Sequence, residues 1–518
     1  MVWSRVSVRR EPPDGHVVPE NGALERSLDA LRAELGLTAG FPAEVEEQAR
    51  DAVAAPDPSD ADLTDVPFLT VDPPGSTDLD QAVHLERRGA GYRVRYAIAD
   101  VPAFVRPGSA LDAETRRRGQ TMYAPDCRVP LHPPVLGEDA ASLLPERDRP
   151  AFVWTIDLDG DGQTTSVDVT RARVRSRAQL DYAGLQADLD AGRAPDAVAL
   201  LPEIGALLVE RERDRGGANL AIPEQEVLRR DGVYRLRFRP PAPVEDWNAQ
   251  ISLLTGRAAA ELMLAGGIGV LRTLPEPDPG AVARFRRQAA ALGRRWDADV
   301  PAGEFLRGLD PQDPRQLALL HESAVLFRGA GYTPFDGAPP EVATHAAVAA
   351  PYAHVTAPLR RLVDRFGLVV CHALCAGREV PGWVRAALPE LPALMSASDR
   401  VAGALDRGAV DAAEAAVLAD RVGERFDAVV VDLDRPATAE TPGRGTVQLL
   451  DPPVLARCEG DLELGGRCRP GWWRLTSRPA GCGSSASLSP RTSRPGDRVV
   501  AFRGGAEERP GSTGRGGG

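Results

Sequence analysis

Three carboxylates fall within nine residues of the segment Phe68 to Ala82, which reads F-L-T-V-D-P-P-G-S-T-D-L-D-Q-A. A strand ending at Asp72, a Pro-Pro-Gly turn, and then Asp78 and Asp80 would gather those carboxylates around one point. Like charges held so close require a cation, and oxygen-only ligands select a hard divalent ion, Mg2+ or Mn2+. Two such ions stabilise both the attacking water and the leaving oxygen of a phosphodiester, so the chemistry on offer is phosphodiester hydrolysis. Clusters of Asp, Pro, Gly, Ser and Thr also build ordinary surface turns, and the spacing alone leaves both readings open.

Other groupings of reactive residues carry less. Asp157 to Gly162, D-L-D-G-D-G, copies the first half of a calcium loop. Strand-like runs flank it, and Asp168 stands where a bidentate Glu belongs, so a hairpin turn is expected. Cys371, His372 and Cys375 sit in an apolar helical run with no second ligand pair, the pattern of packing residues rather than of zinc. His354 either approaches a substrate or is satisfied by a neighbouring backbone group.

The elements that must position the acidic cluster follow from periodicity. Phe68–Asp72, Tyr92–Ile98 and Phe152–Ile156 read as strands between Pro/Gly turns and predict a mixed sheet. Ala/Leu/Arg-rich segments with helical periodicity, Trp247–Leu292 and Leu317–Leu418, predict helices laid against it, so the fold class is α+β. Residues 1–65 read as a lead-in with one amphipathic stretch, Leu24 to Leu37, and an acidic linker from Ala52 to Asp65. Short β runs from residue 425, Phe426–Leu433 and Gly445–Leu450, predict the start of a small barrel. Residues 466–518 hold ten arginines against three acids and lose the alternation, which predicts a basic tail, disordered or altered by a shift of reading frame.

Composition bounds the class. The 518 residues are 43% hydrophobic and 26% charged, ordinary for a globular protein and too mixed for wholesale disorder. No run approaches eighteen apolar residues and the N-terminal residues lack a secretory pattern, so the expectation is a cytoplasmic protein with no membrane contact. Six scattered cysteines make no disulfide framework. Every basic residue is arginine, and a net charge of −12 means that any polyanion must be met by a local basic groove.

Downstream of the acidic cluster come Y-A-I-A-D-V-P-A-F-V-R-P-G-S-A-L-D (Tyr96 to Asp112), Q-T-M-Y-A-P-D (Gln120 to Asp126) and V-P-L-H-P (Val129 to Pro133). S-L-L-P (Ser142 to Pro145), D-R-P-A (Asp148 to Ala151) and finally Y-A-H-V-T-A-P-L-R-R-L-V-D-R (Tyr352 to Arg365) follow. In order and spacing this series resembles the ribonuclease II/ribonuclease R (RNB) family of 3′→5′ exoribonucleases over roughly residues 66 to 420. The resemblance implies an RNB catalytic core over residues 66–424, a mixed sheet with surrounding helices enclosing an RNA channel, then an incomplete OB-like barrel over 425–465.

It implies hydrolysis of single-stranded RNA to nucleoside 5′-monophosphates with Mg2+ or Mn2+, by a monomer. Residue by residue, it makes Asp72 and Asp78 metal ligands, Asp80 the carboxylate essential to the chemical step, and Arg360 the grip on a phosphate beside the scissile bond. Tyr123 would stack on the 3′-terminal base and Tyr182 would contact RNA nearer its end, with Arg361 either also facing RNA or serving as a surface or ion-pair residue. The family's D-L-D-D ends here in Gln81, expected to coordinate as a neutral ligand, and Asn248 and Gln250 replace an acidic pair. Relatives typically carry two cold-shock barrels before the core, where about 65 residues stand here, so weaker RNA grip and limited processivity are expected. The alternative is an RNA-binding protein on an RNB scaffold whose catalysis is impaired.

Overall fold

The computed structural model describes residues 6–10, 22–57, 59–218, 224–230, 233–421, 424, 426–438, 440–451, 454–468, 473–474 and 498–501. Five strands form the centre: β1 (Phe68–Asp72), β2 (Gln81–Arg88), β3 (Gly91–Ala99), β4 (Asp148–Leu158) and β5 (Thr164–Asp181). Successive strands pair antiparallel, and β5 returns to pair parallel with β1, so the order of pairing closes on itself. Closure depends on the eighteen-residue length of β5, whose first part runs along β4 while Ser176–Asp181 lies beside β1. The mixed sheet expected from the sequence is thus present without exposed long edges among these strands.

Period-two alternation sorts the side chains. Tyr92, Val94, Tyr96 and Ile98 of β3 join Val71, Phe152 and Trp154 in one core. Ala97, Ala99, Phe68, Ala151 and Val153 enter another on the opposite face. Each large apolar side chain buried this completely contributes about 2–3 kcal/mol. Burial on both faces explains why these strands read as nearly continuous apolar runs.

The lead-in is more ordered than its composition implied. Helix α1 (Ala23–Glu34) matches the amphipathic stretch, and α2 (Ala43–Ala54) follows it, placing Val45 and Ala49 in the second core. Those two lie four residues apart, one helical turn, a period that the flanking acidic residues disguise. Helix α3 (Ala110–Arg118) starts at Ser109, whose hydroxyl accepts from the Asp112 N–H, and ends at Gly119 with φ +71.

The helical run expected over Trp247–Leu292 is broken. Helix α4 (Pro243–Gly266) stops at Gly267, left-handed at φ +69, and a strand, Ile268–Thr273, pairs antiparallel with Gly331–Asp336 before helix Pro279–Ala291 begins. Helices α5 (Leu362–Cys375) and α6 (Leu391–Leu418) complete the body, with α4 and α5 covering the first core. Asp157–Gly162 is a hairpin turn as expected: Asp159 Oδ1 accepts from the N–H groups of Asp161 (3.0 Å) and Gln163 (2.8 Å).

Strands Ala428–Arg435, Gly443–Leu449 and Leu455–Gly460 make an antiparallel meander over Phe426, Val430, Val447 and Ala456. Three short strands, Arg467–Cys468, Trp473–Arg474 and Arg498–Ala501, extend it to six. The rest of the tail expected over 466–518 lies outside the described residues.

Candidate active site

The Pro-Pro-Gly sequence after β1 forms a tight turn, with the Ser76 N–H bonded to the Pro73 carbonyl at 3.2 Å and Gly75 at φ +81 where a side chain would be strained. The loop then runs back into β2, pinned by Ser142 of the S-L-L-P motif. Its hydroxyl accepts from the Leu79 N–H (2.9 Å) and donates to the Thr77 carbonyl (2.7 Å). Asp72 at the end of β1, Asp78 and Asp80 in the loop, and Gln81 opening β2 therefore sit on one short stretch of pinned backbone.

The second half of the site comes from some 280 residues later. The segment between Tyr352 and α5 has almost no ladder of its own, so its backbone groups must find partners elsewhere. The Leu359 N–H donates to Asp80 Oδ1 at 2.7 Å, the Thr356 carbonyl accepts from Gln81 Nε2 at 2.6 Å, and His132 Nδ1 lies 3.0 Å from the Leu359 carbonyl. The Arg360 carbonyl accepts from the Thr121 N–H at 3.0 Å, and the Leu362 N–H donates to the Gly119 carbonyl at 2.9 Å. Asp364 Oδ1 accepts from the Ala357 N–H at 2.7 Å, and buried Arg365 reaches Asp112 Oδ1 at 2.6 Å. Three acidic residues, Asp80, Asp364 and Asp112, and the Gln81 amide thus shape the loop that carries Arg360.

The carboxylates differ in how they are satisfied. Asp80 is 5% exposed, and burial pushes its carboxyl well above the usual range despite Arg360, whose Nε lies 3.7 Å from Oδ2. Burial, with Asp78 adding to it, raises Asp72 to about 7, and its buried Oδ2 has no hydrogen-bond partner. Asp78 is held on both oxygens, by the Tyr123 hydroxyl at 3.1 Å and by Arg128 Nη1 at 2.5 Å.

The structure brings Asp72, Asp78, Asp80, Gln81, Tyr123 and Arg360 into one neighbourhood. Tyr182 stands at the first turn of helix Tyr182–Asp190, where burial and the nearby Asp72 raise its phenol to about 12 and Asn248 is its hydrogen-bond partner. Gln250 faces away, donating to Glu212 Oε2 at 2.6 Å. Of the two roles open to Arg361, the structure shows the ion pair: its side chain meets Asp364 in a two-point contact of 2.8 and 2.9 Å. Its side chain is 15% exposed against 34% for Arg360. His354 bonds the Tyr332 hydroxyl at 2.8 Å, and Cys371 is buried with its Sγ 3.8 Å from the Ala259 carbonyl.

The RNB domain profile matches residues 60–375, and the RNase II-type exonuclease C-terminal S1 domain profile matches 424–469. The chain belongs to the RNB family. Ribonuclease R of Escherichia coli (strain K12) is 30% identical over 352 residues, 63% of this chain and 41% of that protein. An exosome complex exonuclease of Arabidopsis thaliana, RRP44 homolog A, is 29% identical over 326 residues, 59% of this chain and 34% of that one. The matched segments thus span about a third to two-fifths of the length of these relatives. RNase R of Mycoplasma genitalium, in complex with ribose methylated single-stranded RNA, shares the fold with a TM-score of 0.71 at 16% identity, covering 89% of this chain and 84% of that one.

RNB nucleases generally depend on a divalent metal. The donors here fit one in kind: Asp72, Asp78 and Asp80 offer hard oxygens, and the partnerless Oδ2 of Asp72 is an acceptor that burial leaves unpaid. They are not gathered as a ready set, since among the described residues no three His, Cys, Asp or Glu side chains group as a metal-binding cluster. Gln81 is also engaged at both ends, its Oε1 accepting from the Tyr96 hydroxyl at 2.5 Å while its amide holds Thr356.

Tyr96 and His132 lie inside the family motifs and Arg128 just before one, yet no role follows for any of the three from the sequence. A buried tyrosine needs a polar partner for its hydroxyl, which was the available signal for Tyr96. Arg128 alternates with Val129 beside a recognised motif, and nothing local marks it.

Proposed function

We propose that this RNB chain is a hydrolytic 3′→5′ exoribonuclease, degrading single-stranded RNA to nucleoside 5′-monophosphates with Mg2+, or Mn2+ in its place. The observation that carries the reading is the meeting of Asp80 and Arg360 from distant segments, 3.7 Å apart, with the guanidinium still partly open. Asp72 and Asp78 would hold the divalent ion, which when bound supplies an activated water and screens charge on the phosphate.

The chain's own groups supply the rest. Asp80 Oδ2, the oxygen not fixed by the Leu359 N–H and facing Arg360 at 3.7 Å, is placed to take a proton from the attacking water. Arg360 offers a fixed fork to two phosphate oxygens as charge builds on them. Tyr123 and Tyr182 would contact bases through their rings, which stack on any base and suit a sequence-tolerant exonuclease. Gln81 ties the acidic loop to the arginine loop, and Arg361 with Asp364 keeps Arg360 aimed.

Digestion of one RNA labelled at the 5′ end and, separately, at the 3′ end tests this. A 5′-labelled ladder that shortens stepwise, with the 3′ label released at once as a 5′-monophosphate, is the expected result. RNA that is bound and left intact with either metal defeats it and leaves the impaired RNA-binding protein.

A further inference from the structure

Arg128 lies in none of the motifs that carry the family likeness, yet it makes the closest polar contact to an acidic-loop carboxylate. It stands opposite Tyr123 across the two-residue strands Met122–Tyr123 and Arg128–Val129, and this hairpin presents both residues to Asp78. Arg128 Nη1 takes Asp78 Oδ1 at 2.5 Å and the Tyr123 hydroxyl takes Oδ2 at 3.1 Å. Arg128 Nη2 bonds the Thr77 hydroxyl and lies 2.7 Å from Glu138 Oε2. The guanidinium therefore bridges two carboxylates, Asp78 on the acidic loop and Glu138 on the short helix Leu136–Ala140.

We propose that Arg128 is a resident counter-ion of the acidic loop, competing with a divalent cation for Asp78 and withdrawing to Glu138 when the cation is taken up. A guanidinium and a divalent ion on the same carboxylate repel each other a few ångströms apart, so one must yield. Asp72, Asp80 and Arg360 are the other ionisable neighbours: the two carboxyls favour a cation of either kind, and Arg360, 3.7 Å from Asp80 Oδ2, opposes both alike. Glu138 makes the exchange inexpensive: Arg128 already touches it, so release from Asp78 leaves no charge unpaired. Metal affinity is then set by how firmly Arg128 is held.

The inference rests on the acidic loop being the metal site, and its test reads metal binding without RNA. The full chain is stripped with chelator and titrated with Mn2+, the free ion being followed by its magnetic-resonance signal. Arg128→Leu is expected to bind Mn2+ about tenfold more tightly or better, the weight of removing one neighbouring charge. Glu138→Gln is expected to weaken binding in the native background and to have a much smaller effect when Arg128 is already leucine. Arg128→Gln, which keeps a bond to Thr77, replaces the leucine variant if that variant fails to melt cooperatively. Equal or weaker Mn2+ binding by the Arg128 variants overturns the proposal and makes Arg128 a residue that orients Asp78. Competitive Mn2+ binding by a protein that leaves RNA intact would sink the nuclease reading and keep this one.

Discussion

The acidic loop, residues 72–81, and the arginine loop, residues 352–365, meet at one point and are built on opposite terms. In the arginine loop the buried carboxylate is fully paired: Asp364 is wholly buried yet accepts from Ala357 and pairs twice with Arg361, while Arg365 bonds Asp112 and the Val105 carbonyl and leaves only its Nε without a partner. In the acidic loop Asp72 keeps a partnerless oxygen, and burial raises both Asp72 and Asp80. Unsatisfied buried charge is costly and persists where it has a use, so the difference separates the half that does chemistry from the half that holds shape.

Substitutions on the two sides should therefore fail differently. Asp80→Asn is expected to lower single-turnover cleavage on the order of 10⁴-fold while the protein melts no lower than the native chain. Arg360→Ala should cost about 10²- to 10³-fold in the same assay with little change in melting, since the side chain is partly exposed and holds no buried partner tightly.

Its neighbour should behave in the reverse way. Arg361→Ala leaves Asp364 buried and unpaired, and an equilibrium denaturant titration should show a loss of about 3–5 kcal/mol. Gln81→Asp sharpens the comparison, because it looks like a restoration of the family's acidic residue. It sets a carboxylate against the Thr356 carbonyl, so a loss of about 1–3 kcal/mol in the same titration is expected, with Mn2+ affinity no tighter.

A further difference is in pH. Asp72 binds its proton up to about 7 in the folded chain and up to an ordinary 3.8 when unfolded. The folded state holds the extra proton between those values, so chelator-treated protein should lose stability as pH rises from about 4 to about 7. Asp72→Asn should flatten that slope in melts taken across the range, and Mn2+ should stabilise the native chain more at pH 8 than at pH 5.

Much of this arrangement was legible in residue order. Strand β1 ends at Asp72 as its apolar run predicts, and Pro73, Pro74 and Gly75 turn the chain as those residue types dictate. What stayed hidden depends on long-range partners. Gln81 stood out as a departure, but its double engagement with Tyr96 and Thr356 exists only once β3 and the arginine loop are in place. Arg361 and Arg360 are adjacent and identical in type, and only the burial of Asp364 distinguishes them. The strand Ile268–Thr273 was lost inside a helical composition, since tertiary pairing with Gly331–Asp336 overrides the local preference.

The most direct test is a time course of the purified chain on 5′-labelled single-stranded RNA with Mg2+ or Mn2+, beside Asp80→Asn at matched RNA binding. Stepwise shortening from the 3′ end in the native chain, absent from Asp80→Asn although it still binds the RNA, is the expected result. Intact RNA in both, or equal cleavage by both, would contradict the account.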